Sequence, residues 1–200
     1  MNGKNVALLL IGFQNDYFSK DGIFNGAFED ANAIDPLLKN TQSLIRTVID
    51  AGGMVVETPI NFTADYSELD ESIGILKVIK DNKAFIRDEY GSQSVPMVKE
   101  FAGEIGSLPG KRGMSCFSNT ELDKALKARG VTHLMIAGAF TSLCIDSAGR
   151  EALDLGYKVI MLSDCTIGRT LFEHKYYLDE IMPLYSLVLD SEQMKVELAP

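Results

Sequence analysis

The sequence predicts an α/β fold, a mostly parallel sheet with helices on both faces, and three observations carry that reading. Short apolar runs alternate with segments of helical period along the chain. The first run, Val6–Ile11, is apolar without a break, as expected of a central strand covered on both sides. Polar clusters follow the runs at residues 12–16, 141–144 and 163–166, at the carboxyl ends where ligands collect in such sheets. At 200 residues and 46% hydrophobic, with no linker, repeat or low-complexity tract, the chain suits one domain spanning 1–200.

Taken in order, residues 17–30 are rich in Phe, Gly and Asp and read as an irregular loop. Asp35 and Pro36 then form a helix start, an N-cap residue followed by proline at the first helical position. Leu37, Leu38, Thr41, Leu44, Ile45, Val48 and Ile49 give that helix one apolar stripe, and Gly52 and Gly53 stop it. Residues 54–57 form the second strand, broken by Thr58 and Pro59. Residues 73–79 fit a short helix or a strand, 95–101 read as helical after Pro96, and 106–110 as a turn-rich connection. Ser118 to Glu121 spell a capping box for a helix carrying Leu122, Ala125 and Leu126. Strands follow at 134–137 and 157–162, a helix at 171–182 ended by Pro183, a last strand at 185–189, and a short polar tail.

A net charge of −9 argues against nucleic acid or an anionic membrane as partner. Val6–Ile11 is too short to span a bilayer, and its flanks do not resemble a signal peptide. Three cysteines, Cys116, Cys144 and Cys165, have no CxxC spacing and form no disulfide framework, so a reducing cytoplasm is the expected compartment. His133 and His174 lie far apart without companions of ligand spacing, and read as structural or solvent-facing. No metal site and no cofactor are expected.

Cys144 is the chemical focus. Gly138 ends the strand before it, and a helix is predicted from about Cys144, with Ile145, Ala148, Ala152, Leu153 and Leu155 as apolar positions and Gly156 as its stop. A thiol in the first turn of a helix meets orphan N–H groups and a positive partial charge, which favour a thiolate and stabilise an oxyanion. The competing reading is a small buried hydrophobe.

With these motifs in place, the chain resembles the isochorismatase-like cysteine hydrolases, a family that includes nicotinamidases and carbamoylsarcosine amidases. The resemblance runs over nearly the whole chain. Its marks are the apolar run 7–11 with Gln14, Asn15 and Asp16, and Lys111 six residues before Phe117, with Thr120 opening a helix. The others are Gly138 to Thr141 followed by Cys144 and Ile145, and Gly156 to Val159 with Ser163 and Asp164. Each is weak alone; the four in this order are specific. The resemblance implies a three-layer α/β/α sandwich with a six-stranded, mostly parallel, Rossmann-like sheet. It makes Cys144 the nucleophile, Lys111 the lysine beside it, and the N–H groups of Phe140 and Cys144 an oxyanion hole behind a cis peptide at Ala139–Phe140. It also implies a homodimer or homotetramer.

Two departures qualify this. The family's catalytic aspartate stands two positions before the Gln of the first motif, where this chain has Gly12. Gly12 cannot take the thiol proton or return it to the leaving amine, a role worth about 10²- to 10⁴-fold. Asp16 is the nearest carboxylate, and its expected role is structural. Three explanations compete: altered natural chemistry, a natural pseudoenzyme, or a deliberate Asp-to-Gly replacement that traps a complex. The intactness of every other motif favours the third. Second, the segment after strand two, residues 58–62, has no histidine, which argues against nicotinamidase chemistry and a bound zinc-type ion. Isochorismatases proper lack the cysteine, so Cys144 argues against that reaction too. The sequence thus predicts C–N bond hydrolysis on a small amide, carbamate or ureide through a Cys144 thioester, impaired by Gly12. Phe13, Tyr17, Phe18, Asn61 and Phe117 are candidate pocket walls. The alternative is a non-catalytic small-molecule-binding pseudoenzyme of the same fold.

Overall fold

In the computed structural model, residues 1–69, 72–110 and 112–199 are described. Among them, strands β1 (Val6–Ile11), β2 (Met54–Thr58), β3 (Gly106–Ser107), β4 (His133–Ala139), β5 (Lys158–Ile167) and β6 (Leu187–Leu189) form one sheet in the order β3-β2-β1-β4-β5-β6. Every pairing between them is parallel. The chain runs outward from β1 to β3, then returns to lay β4 on the other side of β1. The order therefore reverses between β1 and β4, and the carboxyl ends of these two strands flank the crevice where such sheets bind ligands.

Helices are α1 (Asn15–Phe18), α2 (Ile34–Asp50), α3 (Gly74–Asp81), α4 (Pro96–Lys99), α5 (Leu122–Ala128), α6 (Asp146–Asp154), α7 (Leu171–Tyr176) and α8 (Ser191–Leu198). All six residues of β1 are buried, and successive side chains serve opposite layers. Leu8 and Leu10 join the core formed with Leu44, Ile45 and Val48 of α2 and Met194 of α8. Leu9 and Ile11 join the other, with Leu122 and Leu126 of α5 and Ala148 and Ala152 of α6. The uniform apolarity of this strand follows from that double burial. No helix among the described residues is long and apolar enough to cross a membrane.

Several elements differ from their sequence reading. Helix α2 starts at Ile34 with Ala33 as N-cap, so Asp35 lies in its first turn; a 3₁₀ turn capped by Asp30 leads into it. Residues 73–79 resolve as helix α3, and the connection at 106–110 contains the edge strand β3. The predicted capping box before α5 does not form: the N-cap is Glu121, without a side-chain cap, and the Thr120 hydroxyl donates backward to the Cys116 carbonyl at 2.6 Å. The tail is helix α8, with a capping box between Asp190 and Gln193 and with Met194 and Leu198 buried. Strand β5 continues to Ile167 past a register jump from Ile136↔Met161 to Gly138↔Thr166, so residues 163–166 belong to a bulged strand. Asp164 is used there in packing, accepting from Asn40 of α2 at 3.0 Å and from the Ser191 hydroxyl at 2.6 Å.

Candidate active site

Strands β1 and β4 approach each other closely at their carboxyl ends. Gly138, at φ +129°, leaves no room for a side chain: a Cβ there lies 1.8 Å from the Ile11 carbonyl oxygen. Gly12, the first residue after β1, has φ +74°, and a Cβ there lies 3.1 Å from the Tyr17 ring and 3.4 Å from the Ala139 carbonyl oxygen. Both backbones occupy regions that side chains disfavour.

Beyond β4, the Ala139–Phe140 peptide is cis, at the position the resemblance implied. The chain then enters a π-helical turn, Thr141–Ile145, which runs into α6. The helical segment thus begins three residues earlier than the sequence suggested, and Cys144 sits within the wide turn. The Phe140 carbonyl accepts from both Leu143 at 3.0 Å and Ile145 at 3.2 Å, which closes that turn. Such π turns concentrate at functional sites. Helix α7 holds it from outside: the Thr141 hydroxyl bonds His174 Nδ1 at 2.8 Å, and the Ser142 hydroxyl donates to Glu173 at 2.5 Å. Burial pushes the His174 imidazole below its ordinary value, against the opposing pull of a bond it donates to the Ser163 backbone and of the Glu173 charge.

Cys144 is buried, 6% exposed, and faces a narrow pocket with Tyr17, Phe140 and Leu143. Ile60 and Phe62 from the segment after β2, Ile75, Leu76 and Ile79 of α3, and residues 112–114 complete its wall. The cavity measures about 10 Å³, room for about one water. Among the described residues, Tyr17 and Arg112 are the lining residues besides Cys144 that carry polar side chains.

Tyr17 lines this pocket, with its ring 5.2 Å from Phe140 in an edge-on arrangement and 4.9 Å from Phe85. Phe13 and Phe18 pack elsewhere in the same hydrophobic core, with ring centroids 5.3 Å apart. Phe117 lies in the opposite core, stacked on Tyr157, and Asn61 is half-buried between the two wall residues Ile60 and Phe62. Lys111 lies outside the described residues. The α3 side chains are the wall that sequence reasoning missed; the strong amphipathicity of residues 74–81 was the signal for it.

The motif residues after Gly12 serve the backbone. Gln14 is 1% exposed; its amide donates to the carbonyls of Ile60 at 2.8 Å and Ser92 at 2.7 Å, and its oxygen accepts from the Ile60 N–H at 2.8 Å. Asn15 donates to the Tyr90 carbonyl. The Asp16 carboxylate accepts from the Phe85 N–H at 2.7 Å and the Ile23 N–H at 3.4 Å. Among the described residues, no group of three His, Cys, Asp or Glu side chains is arranged to hold a metal ion.

Known proteins resemble this chain throughout its length. A family model described as the isochorismatase domain matches residues 6–193. The ureidoacrylate amidohydrolase RutB of Cronobacter sakazakii is 28% identical over 172 residues, 80% of this chain and 73% of that protein. Among solved structures, a cysteine hydrolase from Pseudomonas syringae pv. phaseolicola superposes with a TM-score of 0.86 at 18% identity, covering 99% of this chain and 94% of that one. The N-carbamoylsarcosine amidase of Thermoplasma acidophilum does so with a TM-score of 0.75 at 18% identity, covering 94% and 97%. The sheet order, the site between β1 and β4 and the family match agree: this chain belongs to the isochorismatase domain family.

Proposed function

We propose that this protein is a cysteine hydrolase that cleaves the C–N bond of a small amide, carbamate or ureide through a thioester on Cys144. The observation that carries the reading is the placement of Cys144: a thiol in a π turn beyond a central strand, at the strand-order reversal, facing an apolar pocket. The amidohydrolase named among its relatives supports this substrate class. In the proposed course, the Cys144 sulfur attacks the carbonyl carbon and the N–H groups of Phe140 and Cys144 stabilise the oxyanion. The amine leaves, and water hydrolyses the thioester. The resemblance assigns Lys111 the part of a cation beside the nucleophile, and the homo-oligomer and the cytoplasmic setting rest on the sequence reading alone.

Gly12 lowers the expected turnover by about 10²- to 10⁴-fold relative to a relative that keeps the carboxylate. It also favours the second reading, a binding protein that retains the pocket without turnover. Ammonia or amine release across a panel of small amides, carbamates and ureides decides between them. A hydrolase shows release that Cys144→Ala abolishes. A binding protein shows no release, and ligand-induced stabilisation that survives the same substitution.

A further inference from the structure

We propose that Tyr17 is the proton carrier of this site, standing in for the carboxylate that position 12 lacks. The inference rests on the hydrolase reading above and concerns how that chemistry is completed.

Three contacts tie Tyr17 to the glycine and to the pocket that Cys144 lines. Its ring edge is what a side chain on Gly12 meets first, at 3.1 Å from Cβ. The same ring packs edge-on against Phe140, whose carbonyl closes the turn holding Cys144. Tyr17 and Cys144 then line one pocket. The phenol hydroxyl makes no hydrogen bond to a described residue, although the side chain is 2% exposed. Burial, and after it the charge of Cys144 and of Asp16, hold the phenol well above its ordinary value. It therefore stays protonated and able to donate.

A neutral phenol is both donor and acceptor, so it can relay a proton without ionising. As the bond from Cys144 sulfur to the carbonyl carbon forms and the C–N bond breaks, the thiol proton passes to the phenol oxygen. The phenol's own proton passes to the leaving nitrogen, leaving a thioester, a neutral amine and an intact tyrosine. In the second half, water oxygen bonds to the acyl carbon as the C–S bond breaks. One water proton passes to the phenol oxygen and the phenol proton returns to sulfur, releasing the acid and restoring the thiol. On this view, glycine at position 12 belongs with tyrosine at 17: the left-handed backbone and the packed ring leave a carboxylate at 12 little space. This argues against a simple Asp-to-Gly lesion.

The test compares the full chain with Tyr17→Phe and Gly12→Asp. It measures amine release on the amide panel and the pH profile of Cys144 alkylation by iodoacetamide, read by peptide mass spectrometry. Phenylalanine keeps the ring and its packing, so the fold persists. Tyr17→Phe should lower turnover by about 10²-fold or more and displace the alkylation profile, while Gly12→Asp brings no gain. A Tyr17→Phe protein that matches the parent in both rate and profile overturns the role of Tyr17 and leaves the hydrolase reading standing. Turnover raised by Gly12→Asp overturns it as well, since a carboxylate then works where the ring packs. If the parent turns over nothing on the panel, the hydrolase reading fails, and the alkylation profile alone decides for Tyr17 if displaced and against it if not.

Discussion

The loops that leave β1 and β4 lie side by side at the same sheet edge, and they use their side chains in opposite ways. After β1, Gln14, Asn15 and Asp16 all turn to backbone groups, fastening the segments around residues 60, 85 and 90 to the sheet. After β4, the Thr141 and Ser142 side chains bond to α7, and Cys144 lines the pocket. A dense polar motif at a strand end is thus as able to be scaffold as chemistry. The β1 loop holds the wall; the β4 loop holds Cys144.

The comparison breaks most sharply where the two strands touch. Gly138→Ala puts a Cβ into the Ile11 carbonyl at a left-handed backbone position. It should destabilise by about 4 kcal/mol or more, seen as loss of cooperative thermal unfolding or of soluble protein. A protein with an unchanged melting temperature contradicts the close approach. Next, Gln14→Leu strands the Ile60 N–H and two carbonyls in a buried site. About 3 kcal/mol of stability should go in urea unfolding, together with a raised KM as the Ile60 and Phe62 wall loosens.

Asp16→Asn sharpens the division of roles. It weakens the bonds to Phe85 and Ile23 and should cost about 1–2 kcal/mol while changing kcat little. A fall of 10²-fold or more in kcat at unchanged stability makes Asp16 a proton carrier and dissolves the distinction between the loops. The smallest effect concerns His174. Its folded value is depressed by burial, so the unfolded chain binds its proton more readily. The associated stability is complete above the ordinary histidine value near 6.5 and fades as the pH falls below it. Melting temperatures measured from pH 8 to pH 5 should drop less in His174→Gln than in the parent; identical slopes contradict the assignment.

Much of this architecture was legible in the sequence, because double burial writes itself as an unbroken apolar run. Val6–Ile11 was readable to the residue, and the cysteine loop was placed at the correct strand end. Misreadings arose where tertiary contacts override local pattern. The polar tail became helix α8 because two of its apolar side chains reach the α2 face of the sheet. Residues 163–166 looked like a site loop, yet Asp164 is drawn to α2 and α8. The wall formed by α3 was hidden because an eight-residue amphipathic stretch fits helix and strand alike. Nothing in sequence spacing announces that the Tyr17 ring packs over Gly12, a contact that only the fold creates.

The central claim is that Cys144 carries the acyl group. Its most direct test is rapid acid quenching of the enzyme during turnover of an amide or ureide that it cleaves, followed by intact-mass and peptide mass spectrometry. The account predicts an added acyl mass on the Cys144 peptide that decays with turnover and is absent from Cys144→Ala. Product release undiminished in Cys144→Ala, with no adduct on the parent, contradicts it.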